Sequence, residues 1–485
     1  MFLGIDIGTS SSKGVLVADD GTVVATAVRE HRTATPRPGW FEHDAYEIWL
    51  ADFAALTREL AAPGIAAVGV SGIGPCVLPA AADATPLRPA ILYGVDTRAT
   101  AEIAAQLDRY GPAAIMERCG SPLTSQAAGP KLEWIRTHEP DVWARTKRLF
   151  MAHSWLVHEL TGEYVLDHHS ASQCDPLYDT RAFDWIPEWA AEIAPGLELP
   201  RLAWSGEIAG TVTASAASAY GLPEGVPVIT GTIDAWAEAE SVGVREPGDV
   251  MLMYGTTMFI VEILRSRVTS PSFWGTAGIT PGSHNLAAGM ATSGAVTGWL
   301  RELTGASYET LTKEAADVAR GAEGLLMLPY FAGERTPIFD PDARGTLVGL
   351  TLRHGRGHLY RAALEATAFG VRHNLEAMRE AGGEVRRLVA VGGGTAGGLW
   401  TRIVSDVLGR PQVLPAHTVG AAYGDALLAA RATGVAVESW NPPAAQVEPS
   451  PDADVYDDLY ALYRDLYPAT AGIAHTLAGG PPYRR

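Results

Sequence analysis

The amino-terminal segment alternates short apolar runs with turn-forming residues, a pattern typical of strands joined by tight connections. In MFLGIDIGTSSSKGVLVADDGTVVATAV, the dipeptide Asp20-Gly21 separates two apolar runs and predicts a β-hairpin. Over residues 44–61 the apolar spacing becomes helical, with Ile48 and Phe53 on one side. The segment IAAVGVSGIG then predicts a buried strand that ends in glycine.

Helices are predicted in the middle of the chain and at its end. KLEWIRTHEPDVWARTKRLFMAHSWLVHELTG predicts helices interrupted at Glu139-Pro140 and stopped at Gly162. Near the carboxyl terminus, DADVYDDLYALYRDLY spaces its tyrosines as a packed helix would. The preceding WNPPAAQVEPSPDAD is the best candidate for a linker.

Two later segments repeat the layout of the amino terminus. GVPVITGTIDAWAEAESVGV predicts a strand, a Gly-Thr turn and a helix that begins near Asp234, and GDVMLMYGTTMFIVEI predicts a strand, a Gly-Thr-Thr turn and a strand. The second resembles FLGIDIGTSSSKGVLV, so two similarly built lobes are expected. A third glycine turn, Gly392–Gly394, follows the predicted strand Leu388–Val391.

Composition excludes several classes of protein. The chain has 485 residues, of which 47% are hydrophobic, enough for two or more domains with real cores. A formal net charge of −18 argues against nucleic acid as a partner. Three cysteines are too few for a disulfide framework, and no apolar run reaches the roughly 18 residues of a membrane span. We therefore expect a cytoplasmic protein that binds no membrane.

The glycine-rich turns are candidate anion sites because backbone N–H groups in such turns bind phosphates. The alternative is that each turn only needs a positive φ angle. Neither the dinucleotide-binding nor the P-loop spacing of glycines occurs, which disfavours a dehydrogenase.

Two acidic residues beside these turns have two interpretations each. Asp6 either caps the first turn or holds Mg²⁺ beside nucleotide phosphates. Asp234 is either the N-cap of a helix or the base that accepts a proton from a hydroxyl attacking a phosphoryl group.

A family resemblance covers nearly the whole chain, in order. The segments that carry it are GIDIGTSSSKG, PGWFEHDAYEIW, GPKLEWIRTHEPDVWARTKRL, LTGEYVLDHHSAS, GTIDAWAEAESVGV, YGTTMF, GERTPIFDPDARGTLVGLTLRHGRGHLYRAALEATAF, AVGGGTAGGLWTRIVSDVLGRPQVLP and GAAYGDALLAA. Together they resemble the FGGY carbohydrate kinases, and the xylulokinases among them, of the actin/hexokinase/heat-shock-chaperone ATPase superfamily.

The resemblance implies an α/β fold of two ribonuclease-H-like (actin-like ATPase) lobes with an interlobe cleft in which ATP and sugar meet. We expect a sugar-binding N-terminal lobe over residues 1–243, which includes the first phosphate motif and the base. An ATP-binding C-terminal lobe over 244–435 and a terminal linker and helix over 436–485 would follow.

The resemblance also implies roles for individual residues. Asp6 would lie at Mg²⁺ and Asp234 would be the catalytic base. The residues implied to bind ATP are Thr9, Ser10, Ser11, Lys13, Gly255, Thr256, Thr257, Gly393, Gly394 and Thr395.

On the sugar side the chain departs from the xylulokinase pattern. The QMHG-like loop is replaced by Ile-Gly-Pro-Cys, and the WND-R segment becomes YGVDTR. The residues expected to bind the substrate are Gly74, Pro75, Asp96, Arg98, His153 and Asp234. For Arg98 an ion pair with a neighbouring acid is the alternative, and for His153 a surface position.

The implied activity is transfer of the ATP γ-phosphate to a terminal hydroxyl of a ketopentose, with D-xylulose first. The alternatives are another FGGY substrate, such as ribulose, another ketose, erythritol or glycerol, a non-catalytic actin-like ATPase, and a sugar sensor. The implied cofactors are ATP and Mg²⁺, and the partners are small molecules. The oligomeric state, a homodimer included, stays open.

Overall fold

The computed structural model describes residues 1–479. The strands are β1 Phe2–Ile7, β2 Ser11–Val17, β3 Val23–Glu30, β4 Glu42–His43, β5 Ala67–Gly72, β6 Leu78–Ala80, β7 Ala90–Ile91, β8 Arg148–Phe150, β9 Val165–Asp167, β10 Tyr178–Asp179, β11 Asp184–Trp185, β12 Arg201–Ala203, β13 Ile208–Thr211, β14 Pro227–Ile229, β15 Thr232–Ile233, β16 Asp249–Tyr254, β17 Met258–Leu264, β18 Trp274–Ala277, β19 His284–Met290, β20 Leu326–Leu328, β21 Thr346–Val348, β22 Arg387–Val391, β23 Gln412–Pro415 and β24 Pro443–Val447.

The α-helices alternate with these strands along the chain. They are α1 Ala51–Leu60, α2 Thr100–Tyr110, α3 Pro112–Cys119, α4 Ala128–His138, α5 Pro140–Arg145, α6 Ala152–Thr161, α7 His168–Ala171, α8 Pro187–Ile193, α9 Ala214–Tyr220, α10 Asp234–Ser241, α11 Gly294–Thr304, α12 Tyr308–Ala316, α13 Arg356–Glu380, α14 Leu399–Leu408, α15 Ala421–Ala432 and α16 Val455–Ala478. A π-helical turn occupies Ala45–Leu50, and 3₁₀ turns occupy Ala322–Gly324 and Gly393–Thr395. In the part of the chain that is described, no helix is long and apolar enough to cross a membrane.

The chain folds into two compact units, each assembled from separate segments. The first contains Met1–Arg245, Ile263–Asn285 and Val419–Pro442, and the second contains Glu246–Glu262, Leu286–Thr418 and the segment from Pro443 onward. The sequence-based domains were continuous segments and placed residues 419–435 in the C-terminal lobe. The structure groups those residues with the first unit instead, because α15 packs on the first sheet.

The first unit is built on a sheet with strand order β13-β14-β5-β1-β2-β3, in which β15 also pairs with β5. β1 runs antiparallel to β2 and parallel to β5. Side chains alternate between the two faces of β1. Leu3 and Ile5 point into the core that contains residues of α1 and α6, whereas Phe2 packs in the cluster formed with α15.

Close backbone contacts hold α15 on the sheet and α10 on α15. A Cβ atom on Gly4 of β1 would lie 1.8 Å from the carbonyl oxygen of Ala422, and one on Gly424 would lie 1.8 Å from that of Ala237 on α10. No side chain fits at either glycine. The carboxyl end of β1, the start of α10 and the middle of α15 are therefore held close together.

The second unit repeats the strand pattern of the first. Strands β19, β17, β16, β22, β23 and β24 follow one another in its sheet. β16 is antiparallel to β17 and parallel to β22, as β1 is antiparallel to β2 and parallel to β5. The prediction of two similarly built α/β lobes is confirmed.

Local predictions mostly match the structure. The hairpin at Asp20-Gly21 joins β2 and β3, and the break at Glu139-Pro140 separates α4 from α5. The linker prediction is wrong in part, because Pro443–Val447 forms β24 on the edge of the second sheet, paired antiparallel with β23. Proline is compatible with an edge strand, where an N–H donor is not needed on the open side. Residues 480–485 of the predicted terminal segment lie outside the described residues.

Candidate active site

The turn between β1 and β2 carries small hydroxyl residues and a lysine. Asp6 and Lys13 are directly paired across the two strands, so both side chains lie on the face that α15 covers. The N–H of Gly8 donates to the carbonyl of Ser11 at 3.1 Å and closes the turn. Lys13 Nζ donates to the carbonyl of Val419 at 2.9 Å. The predicted phosphate-binding residues Thr9, Ser10 and Ser11 lie in this turn, and none of them is fully buried.

Four carboxyl groups surround the end of β1. Burial raises the pKa of Asp6 to about 6, with hydrogen bonding from Ser71 and the charge of Lys13 opposing the shift. Burial and the charge of Asp6 raise the pKa of Glu238 to about 7. Burial also raises the pKa values of Asp234 and Asp425 well above their usual range, and the charge of Asp6 adds to both shifts. Ionising all four groups together is therefore unfavourable without a further cation.

Asp234 is the first residue of α10. The N-cap position belongs to Ile233, which has no capping side chain, so Asp234 is not the N-cap that one interpretation required. Its Oδ1 accepts a hydrogen bond from the N–H of Ala235 at 2.7 Å, and its side chain stays partly exposed. Glu238 follows one helical turn later on the same face. A carboxylate whose pKa is raised by burial and by neighbouring carboxylates is suited to accept a proton.

The loop after β5 packs against the start of α10. A Cβ atom on Gly74 would lie 2.5 Å from Cγ1 of Ile233, so Gly74 is directly beside the residue that precedes Asp234. Gly74 is partly exposed, whereas Pro75 and Cys76 are buried. The Cys76 Sγ donates to the carbonyl of Ile73 at 3.3 Å. The loop thus shapes the surface beside Ile233 and presents no free polar side chain.

Asp96 and Arg98 form a buried ion pair with each other. Asp96 Oδ2 accepts from Nη2 of Arg98 and from the N–H of Phe41, both at 2.7 Å, and neither charged side chain is exposed. Arg98 Nη1 also donates to Glu42 at 2.7 Å, and its guanidinium lies 4.2 Å from the ring centroid of Trp40. The ion pair expected for Arg98 is present, and its role in substrate binding stays a prediction. Because Asp96 is buried in the same pair, its role in sugar binding stays a prediction.

His153 is buried, so the alternative of a surface histidine is wrong. Its Nε2 lies 3.0 Å from Oδ2 of Asp167, which also accepts hydrogen bonds on Oδ1 from Thr232 and Ser205. The Nδ1 atom is buried without a hydrogen-bond partner. Thr232 lies two residues before Asp234, so this polar cluster supports the strand that leads into α10.

A chain of carboxamides, absent from the sequence predictions, runs toward α10 from the loop after β7. Gly94 N donates to Oε1 of Gln126 at 3.1 Å, and Nε2 of Gln126 donates to Oε1 of Gln173 at 3.2 Å. Gln173 Nε2 contacts Nε2 of His169 at 2.8 Å, and the His169 ring lies 3.8 Å from that of Trp236, two residues after Asp234. These neutral polar groups are candidates for hydrogen bonding to substrate hydroxyls.

The two turns of the second unit lie at the carboxyl ends of neighbouring parallel strands. β16 leads into Gly255, Thr256 and Thr257, and β22 leads into the glycines at 392–394. The carbonyl of Thr256 accepts hydrogen bonds from the N–H groups of Ser293 and Ala295, both at 3.0 Å, at the start of α11. Thr256 itself is exposed.

Three consecutive glycines after β22 have different surroundings. A Cβ atom on Gly392 would lie 2.6 Å from the carbonyl oxygen of Tyr254, and one on Gly394 would lie 2.7 Å from Cζ3 of Trp400. Gly393 is exposed, and no atom lies within 4 Å of its Cβ position. Thr395 Oγ1 donates to the carbonyl of Gly392 at 2.8 Å and stiffens the turn. Packing therefore explains Gly392 and Gly394 but not Gly393.

Comparison with known proteins gives the family. Models of the FGGY family of carbohydrate kinases match residues 1–239 with the N-terminal domain and residues 250–433 with the C-terminal domain. The chain belongs to this family. FGGY kinases are phosphotransferases, and this one has the two α/β lobes of the family.

Some individual relatives are named glycerol kinase and others xylulose kinase. The glycerol kinase of Alkalilimnicola ehrlichii is 32% identical over 89% of this chain and 90% of its own. The xylulose kinase of Escherichia coli is 29% identical over 97% of this chain and 100% of its own. The crystal structure of xylulose kinase from Rhodospirillum rubrum superposes with a TM-score of 0.91 at 33% identity, covering 98% of this FGGY kinase and 99% of that chain.

The carboxyl cluster fits Mg²⁺ bound largely through water. No group of three or more His, Cys, Asp or Glu within residues 1–479 is arranged to hold a metal ion by itself. Mg²⁺ usually keeps several waters and is held by one or two carboxylates and substrate phosphates. A hydrated divalent cation beside Asp6 would favour the ionised forms of Asp6 and Asp234, whose pKa values are raised without it.

Glu334 is a buried carboxyl group of this FGGY kinase that holds the segment just before α11. Its Oε1 accepts hydrogen bonds from the N–H groups of Ala291 and Arg335 at 2.8 and 2.7 Å, and burial raises its pKa to about 8. Because the folded protein binds this proton more tightly than the unfolded chain, the group's stabilisation is complete below about pH 4.5 and is lost as the pH rises through 8.

We expect Glu334→Gln to stabilise the protein at alkaline pH. Gln can keep both hydrogen bonds on Oε1 and carries no charge, so its advantage should be absent near pH 4.5 and reach on the order of a few kcal/mol above pH 8. Urea unfolding at pH 5 and pH 8.5 measures this difference, with the exposed Glu309→Gln as control. A Gln variant less stable than wild type at pH 8.5 would contradict the expectation.

Proposed function

We propose that this protein transfers the γ-phosphoryl group of ATP to a terminal hydroxyl of a small uncharged sugar, with D-xylulose as the first candidate. The observation that carries the proposal is the position of Asp234, a partly exposed residue at the start of α10 whose carboxyl group interacts with the charge of Asp6. A base and an acidic, cation-attracting residue at one place are what phosphoryl transfer to an alcohol requires.

The relatives include xylulose kinases and glycerol kinases at similar identity, 29% for the Escherichia coli xylulose kinase and 32% for the Alkalilimnicola ehrlichii glycerol kinase. We place a ketopentose first because the xylulose kinase of Rhodospirillum rubrum superposes on 98% of this chain with a TM-score of 0.91. An uncharged acceptor is supported by the neutral amides of Gln126 and Gln173, which lie in a hydrogen-bonded row that reaches α10 through His169 and Trp236.

In the proposed reaction, the acceptor oxygen forms a bond to the γ-phosphorus as the bond from that phosphorus to the β–γ bridging oxygen breaks. The hydroxyl proton passes to the Asp234 carboxylate, and ADP leaves. Burial raises the pKa of Asp234 toward neutral pH, and a base whose pKa is near the working pH is effective in proton transfer.

The other residues of the proposed site position the nucleotide and balance its charge. Asp6 would hold the hydrated Mg²⁺, and Lys13 and the hydroxyls of the first turn would bind phosphate oxygens. In the second unit, the turns at 255–257 and 392–395 would bind the nucleotide. Mg²⁺, when bound, neutralises charge on the phosphates and orients them.

Glycerol phosphorylation is the second candidate. It is favoured by the glycerol kinase of Nocardia farcinica, which is 33% identical over 90% of both chains. We also propose a cytoplasmic location, which is consistent with three cysteines that are free and buried.

A panel of acceptors tests the proposal. ADP release should depend on acceptor, and kcat/KM for D-xylulose should exceed that for glycerol by about tenfold, since one lost hydroxyl contact is worth about 1.4 kcal/mol. D-Ribulose, erythritol and gluconate complete the panel. The D234N variant, purified in the same way, is the control for activity from contaminating kinases. Preference for glycerol would establish the second candidate, and ADP release without any acceptor dependence would contradict both.

A further inference from the structure

The hydroxyl group of Ser71 links two carboxyl groups. Its Oγ lies 2.6 Å from Oδ2 of Asp425 on α15 and 3.2 Å from Oδ1 of Asp6 on β1. Ser71 and Asp6 are paired residues of the parallel strands β5 and β1. Ser71 and Asp425 are both completely buried, whereas Asp6 is partly exposed. Among the hydrogen bonds of the described residues, those of Ser71 join Asp425 to Asp6.

Counting protons shows how this arrangement is satisfied. A serine hydroxyl carries one proton, and an ionised carboxylate carries none. If both aspartates were ionised, one of the two short contacts would join two oxygens without a proton between them. If Asp425 is a carboxylic acid, it donates to Ser71 Oγ at 2.6 Å, and the Ser71 proton is left for Asp6. Every contact then has its donor.

The surroundings of Asp425 favour its uncharged form. Among the described residues no ion pair involves Asp425, and its Oδ1 is buried without a hydrogen-bond partner. Burial and the neighbouring charges of Asp6 and Asp234 raise the pKa of Asp425 well above its usual range. The helix cannot shift closer or turn freely, since a Cβ atom on Gly69 would lie 2.3 Å from the carbonyl oxygen of Asp425.

We propose that Asp425 is a positioning residue that acts through Ser71. As an uncharged hydrogen-bond donor it orients the Ser71 hydroxyl toward Asp6, and this bond holds the Asp6 carboxylate in the orientation that receives hydrated Mg²⁺ with the nucleotide. The inference rests on the proposed function in one respect only, the binding of Mg²⁺ and nucleotide near Asp6. It does not depend on which sugar is phosphorylated.

Calorimetric binding of ADP with and without Mg²⁺ tests this role without turnover. The variants are D425N, D425A, S71A and the double variant D425A/S71A. The asparagine amide can donate to Ser71 as a carboxylic acid does, so D425N should bind Mg²⁺·ADP within about threefold of wild type. D425A and S71A should each weaken Mg²⁺·ADP binding by about tenfold, the effect of one lost hydrogen bond, and leave metal-free ADP binding unchanged. S405A, which deletes a buried serine hydroxyl on α14, controls for stability.

Coupling between the two residues gives a second readout. If Asp425 acts only through Ser71, D425A/S71A should bind Mg²⁺·ADP no worse than S71A alone. Additive losses of Mg²⁺·ADP affinity in the double variant would overturn the inference. So would a D425A variant whose Tm falls while its Mg²⁺·ADP affinity is unchanged, or a D425N variant that loses as much affinity as D425A. A wild-type protein that binds ADP equally with and without Mg²⁺ would also overturn it. Failure to phosphorylate any sugar, with Mg²⁺·ADP binding intact, would instead contradict the proposed function alone.

Discussion

Asp234→Asn is expected to lower kcat by about a thousandfold, the loss that follows removal of a general base. The amide has the same shape and can keep the hydrogen bond from the N–H of Ala235, so α10 should begin as in wild type. It cannot accept the hydroxyl proton. Acceptor binding should change little, because the substitution removes charge and leaves the shape of the wall intact.

Steady-state kinetics with a saturating acceptor and isothermal calorimetry of acceptor binding separate these two effects. Asp108→Asn, which changes an exposed aspartate on α2, is the matched control and should leave kcat and acceptor binding unchanged. The unliganded D234N protein should also melt at a higher temperature than wild type at pH 8, because it lacks one of the crowded carboxylates. Turnover of D234N within tenfold of wild type would exclude Asp234 as the base.

Gly393→Val is expected to raise the KM for ATP by about 10- to 100-fold, since forcing a side chain into a filled space costs about 1–3 kcal/mol. No protein atom lies within 4 Å of the new Cβ, so the variant should fold normally and the clash should arise only with bound nucleotide. The KM for the sugar should stay within a few-fold of wild type.

Gly397→Val is a matched control for this variant. Gly397 is an exposed glycine of the same loop, and its Cβ position has a single neighbour, Cγ2 of Thr312 at 3.9 Å. Gly392 is unsuitable because its φ is +90° and its Cβ would meet the carbonyl of Tyr254. An equal rise in the KM of both substrates of G393V would place this turn away from the nucleotide.

The strand hairpins and turns were predictable because their signals are local. Alternating apolar residues predicted β1 and β2, and glycine with threonine predicted the turn after β16. Asp234 was found the same way, since it follows a strand and a Gly-Thr turn directly. The N-cap interpretation of Asp234 could be excluded only once the structure assigned the N-cap to Ile233, and its role as the base stays a prediction.

The partners of these residues were not predictable, because they come from distant parts of the chain. Nothing local marks Asp425 as a neighbour of Asp6, which lies 419 positions earlier, or Gln126 as a hydrogen-bond partner of Gln173. The bond of Arg98 to Glu42 similarly joins residues 56 positions apart. One signal for Asp425 was available, a charged residue inside the otherwise small and apolar GAAYGDALLAA.

By itself, the sequence determined the family, the repeated strand–turn–strand units and the identities of the chemical groups, because motifs, periodicity and turn residues act over a few positions. Only the tertiary structure decided which groups share an environment. Gly4 and Gly424 let α15 lie directly on β1 and α10, which brings Asp425 through Ser71 to Asp6 and lets the charge of Asp6 act on Asp234, Glu238 and Asp425. Their shifted pKa values follow from that packing, since burial and neighbouring charge are properties of space and not of sequence order.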